Sequence, residues 1–126
     1  MLPDQTAFMP AGRAIAITQG DCAGIGPETI AKAFRDAPEV LRGCFAVGEV
    51  ATMRRAASVV LQGGNTSLPV APIGNPDEAW FVPPRCLPVL PLSGLPGPAP
   101  WGQISRAAGE AAARCVQWAA QAALEG

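Results

Sequence analysis

Residues 20–28 read GDCAGIGPE and bring together three glycines, carboxylates at Asp21 and Glu28, and a thiol at Cys22. Glycines at 20, 24 and 26 let a ligand reach the main chain, because no Cβ stands in the way. Pro27 and Glu28 then open a helix. Proline fills a first-turn position whose N–H has no partner in any case, and glutamate sits at the positive end of the helix dipole. The spacing matches neither common phosphate loop: a dinucleotide fingerprint starting at Gly24 needs glycine where Thr29 stands, and a Walker loop needs lysine where Pro27 stands. Glu28 would also repel a pyrophosphate at this helix end. Two readings stay open on the residues alone. The nonapeptide is a backbone cradle for a ligand, or Asp21 and the glycines simply cap and turn a strand into a helix.

Outside this segment the catalytic inventory is thin. The chain has no histidine, no tyrosine and a single lysine, Lys32, placed to form an i, i+4 ion pair with Glu28. No serine or cysteine has an imidazole partner, which excludes a triad-type nucleophile within the chain. Metal-ligand clusters are absent from the pattern, and Asp77 and Glu78 read as a solvated turn after Pro76. Cysteines at 22, 44, 86 and 115 form no CxxC pair and read as small buried hydrophobes. Cys22 stands beside a helix N-terminus, where a thiolate is stabilised, so a redox role is the alternative for it.

The nonapeptide needs a strand before it and a helix after it, and both patterns are present. Ala14 to Thr18 is a continuous apolar run, expected for a strand covered on both faces. From Pro27, Ile30, Ala33, Phe34 and Ala37 fall at i, i+3, i+4 and i+7, and Pro38 ends the helix. CFAVG, residues 44–48, is a second strand one βαβ length later, so a parallel pair with a right-handed crossover follows. From Glu49, Val50, Met53, Ala57, Val60 and Leu61 make another helical face, closed by Gly63 and Gly64; Arg54 and Arg55 read as its solvated side. Ten of the fourteen prolines lie between Pro69 and Pro100, which predicts no helix there and only edge or irregular strands at 68–73 and 87–92. A last helix is predicted over 103–124. Ile104, Ala108, Ala111, Cys115, Trp118 and Ala122 form its seam, for packing within the domain or against a second subunit. Residues 1–13 read as an extended arm and 14–126 as one α/β unit.

Composition narrows the partners. With 49% apolar and 15% charged residues the 126-residue chain is globular, and a formal charge of −1 without a basic stripe argues against nucleic acid. The amino terminus lacks the charged and apolar regions of a signal peptide, and the long uncharged stretches are broken by proline and glycine. No membrane association and a cytoplasmic setting are expected.

GDCAGIGPETIAKAF, CFAVGEVATMRRAASVV and LPGPAPWGQISRAAGEAAARCVQWAAQAAL, in this order, resemble the 4-hydroxythreonine-4-phosphate dehydrogenase family of vitamin B6 biosynthesis. The GD…IGPE core is also shared with isocitrate and isopropylmalate dehydrogenases. The resemblance implies an α/β, partial isocitrate/isopropylmalate dehydrogenase-like domain with parallel strands and flanking helices. It implies NAD-dependent oxidation of a phosphorylated hydroxy amino acid, 4-phosphooxy-L-threonine, assisted by a divalent metal, in a homodimer. Gly20, Asp21, Gly24, Ile25, Gly26, Pro27 and Glu28 match the family's turn, which in the wider superfamily lies beside the nicotinamide end of the cofactor. A related branch, oxidising cis-dihydrodiols of aromatic carboxylates, is the alternative substrate reading.

Departures from the family pattern set the limits of that implication. Family members are much longer, and their metal is held by histidines of a later part of the sequence that this chain lacks. Their substrate-phosphate contacts and most cofactor contacts lie there too, and Cys22 replaces the usual proline. The 126 residues are therefore read as an amino-terminal portion, truncated relative to the family, with no metal ligands and no catalytic residue of its own. Alone, the chain is expected not to turn over substrate. A non-catalytic remnant or interaction module using the last helix is the reading from a different class.

Overall fold

A computed structural model describes residues 12–61, 68–95, 97 and 100–126. The predicted arm lies almost wholly outside the described residues, as do Gly63 and Gly64. Four strands, β1 (Ile15–Thr18), β2 (Cys44–Gly48), β3 (Val70–Pro72) and β4 (Leu87–Pro91), pair in parallel in the order β1-β2-β4-β3. Among the described residues three α-helices flank them: α1 (Gly26–Asp36), α2 (Val50–Val60) and α3 (Arg106–Glu125).

Strand alternation splits the core into two halves. Cys44, Ala46, Leu87 and Val89 point to one face, where Ile30 and Phe34 of α1 and Met53, Ala57 and Val60 of α2 cover them. Phe45, Val47 and Leu90 point to the other, under Cys115 of α3 and Ala79. All five residues of β2 are buried, as a strand covered on both faces requires. The same expectation fails for β1, where no residue is fully buried and Ile15 is 61% exposed. Among the described residues this strand has one neighbour, β2, and its outer side is left uncovered.

The α3 seam packs within the domain. Ala108, Ala111 and Cys115 are buried, Cys115 in one cluster with Phe45, Val47 and Leu90 of the sheet, and Trp118 meets Phe45 edge-on at 6.2 Å between ring centroids. Ile104 departs from the expected seam: it precedes the helix, which starts after the Ser105 cap, and is 98% exposed. Lys32 does not close the expected pair with Glu28; its charge acts instead on Asp36, one turn further, whose carboxyl is already held low by the Arg35 guanidinium.

Two expectations for the proline-rich half are corrected. Pro76–Phe81 forms a 3-10 helix, possible because its only proline is at the first position, where no N–H is needed. The second correction concerns β4, an interior strand rather than an edge. Leu87 donates to Pro69 O and Val89 accepts from Ile73, so alternate residues of β4 face β3, while Leu92 donates to Gly48 O on the β2 side. Pro91 therefore turns its missing N–H toward the side where β3 has ended at Pro72. Pro88 turns its own toward β2, one residue before that ladder begins at Ala46 and Val89. Each proline sits where the ladder loses little, which reconciles proline with an interior strand.

Candidate functional site

The nonapeptide runs from the carboxyl end of β1 into α1, at the edge of a sheet where ligands of open parallel folds bind. Gly20 takes φ 74°, a conformation that side chains resist. The Asp21 carboxylate accepts from Ala23 N–H at 2.8 Å, and its carbonyl accepts from Gly24 N–H at 3.0 Å. Asp21 thus closes the turn and does not cap the helix, whose N-cap is Ile25 without any side-chain bond. Ile25 stands at the tip, 78% exposed, whereas Cys22 and Ala23 are buried beneath it.

Why glycine occupies two positions here follows from Gln19, a polar side chain only 1% exposed. Its N–H donates to Val47 O, and its side-chain Oε1 accepts from Glu49 N–H at 3.0 Å, tying the turn to the β2–α2 junction. A Cβ on Gly26 would come 2.4 Å from the Gln19 carbonyl oxygen, and one on Gly48 would come 2.1 Å from its Oε1. Glu49 then caps α2, accepting from Ala51 N–H, Thr52 N–H at 2.7 Å and the Thr52 hydroxyl at 2.6 Å. The positive end of α2 is occupied by this carboxylate.

Sheet topology places this junction at a chain reversal. The connections after β1 and β2 go to the α1/α2 face, whereas those after β4 and β3 go to the opposite face. The crevice where they part lies between β2 and β4, and Gln19 carries the turn to its rim.

The turn is also held from outside. Arg55 of α2 donates to Cys22 O at 3.0 Å and lies 4.3 Å over the ring of Trp101, while Gly102 N–H donates to Ala23 O at 2.8 Å. The reading of Arg55 as a solvated helix side is therefore corrected. Arg54 is exposed, but Arg55 is half-buried and engaged. No spacing signal announces this, since its partners lie 33 and 46 residues away in the chain. All seven predicted positions, Gly20, Asp21, Gly24, Ile25, Gly26, Pro27 and Glu28, fall on this one connection; Gln19, Arg55 and Trp101 are what the sequence reading missed.

A cavity of about 530 Å³ lies elsewhere, at the amino ends of the strands, lined by Phe34, Arg42, Cys44, Trp80 and Cys86 among others and by no residue of the turn. All four cysteines are free, and burial pushes the Cys44, Cys86 and Cys115 thiols up. Among the described residues no three His, Cys, Asp or Glu side chains gather as a metal would need, and no helix is long and apolar enough to cross a membrane.

Fold and turn together define a parallel α/β chain of the isocitrate/isopropylmalate dehydrogenase type. Solved 4-hydroxythreonine-4-phosphate dehydrogenases share it: the Burkholderia phymatum structure matches at TM-score 0.77 and 28% identity over 93% of this chain and 34% of its own. That from Klebsiella pneumoniae matches at 0.72 and 31% over 94% and 35%. In sequence, the 4-hydroxythreonine-4-phosphate dehydrogenase of Trichlorobacter lovleyi is 35% identical over 115 residues, and the D-threonate 4-phosphate dehydrogenase of Salmonella typhimurium 34% over 119. These cover 89% and 90% of this chain. No protein-family model matches. The chain is similar to the amino-terminal portion of 4-hydroxythreonine-4-phosphate dehydrogenases, and spans about a third of the length of these relatives.

Proposed function

We propose that the chain is the amino-terminal part of a nicotinamide-dependent dehydrogenase that oxidises the secondary alcohol of a small phosphorylated hydroxy acid. The substrate is 4-phosphooxy-L-threonine in vitamin B6 biosynthesis, or the D-threonate 4-phosphate named for some relatives. Agreement with dehydrogenases in both sequence and fold, over about nine-tenths of the chain, carries the reading. It favours phosphorylated acids over the cis-dihydrodiol alternative, because the names of the relatives carry a phosphate.

In this reading Gly20, Asp21, Gly24, Ile25, Gly26, Pro27 and Glu28 form the cofactor-side turn. The glycines admit a ligand to the main chain, Ile25 offers an exposed apolar contact, and Asp21 and Glu28 place negative charge beside it. Two carboxylates repel a diphosphate but favour the cationic ring of oxidised nicotinamide. That end of NAD, when bound, accepts hydride. The described residues do not fit a metal site, and no step of the reaction is assigned to a metal held by them. A cytoplasmic homodimer is part of the proposal, in keeping with the family resemblance.

The test is a chimera in which this chain replaces the matching third of the Trichlorobacter lovleyi enzyme, assayed for NADH formation with 4-phosphooxy-L-threonine. Activity within about tenfold of the parent is expected, a loss of roughly 1.4 kcal/mol or less. A folded chimera without activity, or one active only on an unphosphorylated dihydrodiol, refutes the reading.

A further inference from the structure

We infer that Arg55 is the positioning residue of the Gly20–Gly26 turn, and that the face of Trp101 helps to hold its guanidinium in place. The deduction starts from the turn's own bonds. Asp21 satisfies the amides of Ala23 and Gly24 from inside, but the carbonyls of Cys22 and Ala23 point away and need donors from elsewhere. Cys22 O is met by Arg55 at 3.0 Å and Ala23 O by Gly102 N–H at 2.8 Å. The two donors belong to different parts of the chain, and they are joined because the Arg55 guanidinium stacks on the residue next to Gly102, with Trp101 at 4.3 Å.

Each part of this arrangement has a physical reason. A buried carbonyl left without a donor is costly, and a charged donor is stronger than a neutral one. Arg55 is a long side chain at the middle of α2 and loses several rotamers on reaching across to the turn. The indole face offsets that loss by holding the planar guanidinium, a geometry that lysine does not reproduce. The same stack brings the 101–102 backbone to the Ala23 carbonyl. The position of the turn is thus set by α2 and by the approach to α3, neither of which contains a turn residue. That it thereby sets the position of a bound cofactor rests on the function proposed above.

Hydrogen–deuterium exchange on the whole chain tests the inference directly, with Arg55→Ala, Arg55→Lys, Trp101→Ala and Trp101→Phe. Arg55→Ala and Trp101→Ala are expected to speed exchange of the Ala23 and Gly24 amides by about tenfold or more, from loss of a charged hydrogen bond and its stack. Amides of β2 and β4 keep their protection. Trp101→Phe, which keeps a ring face, restores most of the turn's protection, and Arg55→Lys restores little. Unchanged exchange at Ala23 and Gly24, a uniform rise across the sheet, or full rescue by lysine each overturns the inference. The cofactor reading is judged separately, by whether NAD slows exchange at these amides in the chimera. Its failure alongside local loosening in the variants would leave Arg55 as the turn's anchor and remove only the cofactor.

Discussion

Placing alanine at Gly26 and at Gly24 separates two glycines that look equivalent in the sequence. At Gly26 the new methyl would stand 2.4 Å from the Gln19 carbonyl oxygen, well inside contact distance. That oxygen cannot retreat easily, because Gln19 is fixed by its N–H to Val47 and by its side chain to Glu49. Overpacking of this kind costs about 1–3 kcal/mol, against a gain of at most about 1 kcal/mol from alanine at a helical position. A net loss of about 1–2 kcal/mol lowers the melting temperature by about 3–10 °C for a domain of this size. At Gly24 the methyl would meet Asp21 O at 3.4 Å and Asp21 Cβ at 3.6 Å, ordinary contacts, and the backbone is not left-handed. Gly24→Ala should therefore lie within about 1 kcal/mol of the parent on the stabilising side, through reduced freedom of the unfolded chain. Thermal unfolding followed by circular dichroism measures both. Equal melting temperatures for the two variants, or Gly24→Ala the weaker one, would show that the glycines serve turn flexibility and not the approach to Gln19.

Two further outcomes follow from the same core. Gly48→Ala displaces the Gln19 amide and Gln19→Ala removes it, so the double variant should be less destabilised than the sum of the singles. A coupling of about 0.5–3 kcal/mol in a denaturant double-mutant cycle is expected, and strict additivity would refute the clash. Because burial raises the Cys115 thiol above its ordinary 9.0, the unfolded chain ionises before the folded one. Stability should then be fully present below pH 9 and fall as pH rises past it, with Cys115→Ala flattening that alkaline slope; an unchanged slope in urea titrations between pH 8 and 11 would count against it.

The elements around the turn were legible because their periods are clean: Ile30, Ala33 and Phe34 for α1, CFAVG for β2, Ala108, Ala111 and Cys115 for α3. What hid was long-range. Two prolines made 87–91 look like an edge, although which neighbour each missing N–H faces depends on where β2 and β3 begin and end. Gln19 looked like the polar residue after a strand, and its burial arises only once Gly26 and Gly48 close over it. Arg55 was indistinguishable from Arg54, since only the fold brings Cys22 and Trp101 within its reach. The seven turn positions stand together in one short motif that resembles the family's turn; the residues that hold this turn in place carry no local signature.

The strand order bears on how the chain assembles as it is synthesised. Among the described residues β3 pairs with β4 alone, and β4, made later, must enter between β2 and β3. A nascent chain that has emerged only to residue 80 can form β1, α1, β2 and α2, but its Val70–Pro72 segment has no strand to join. Half of the sheet waits for residues 87–91, and until they emerge the apolar edge of β2 stays open to other chains.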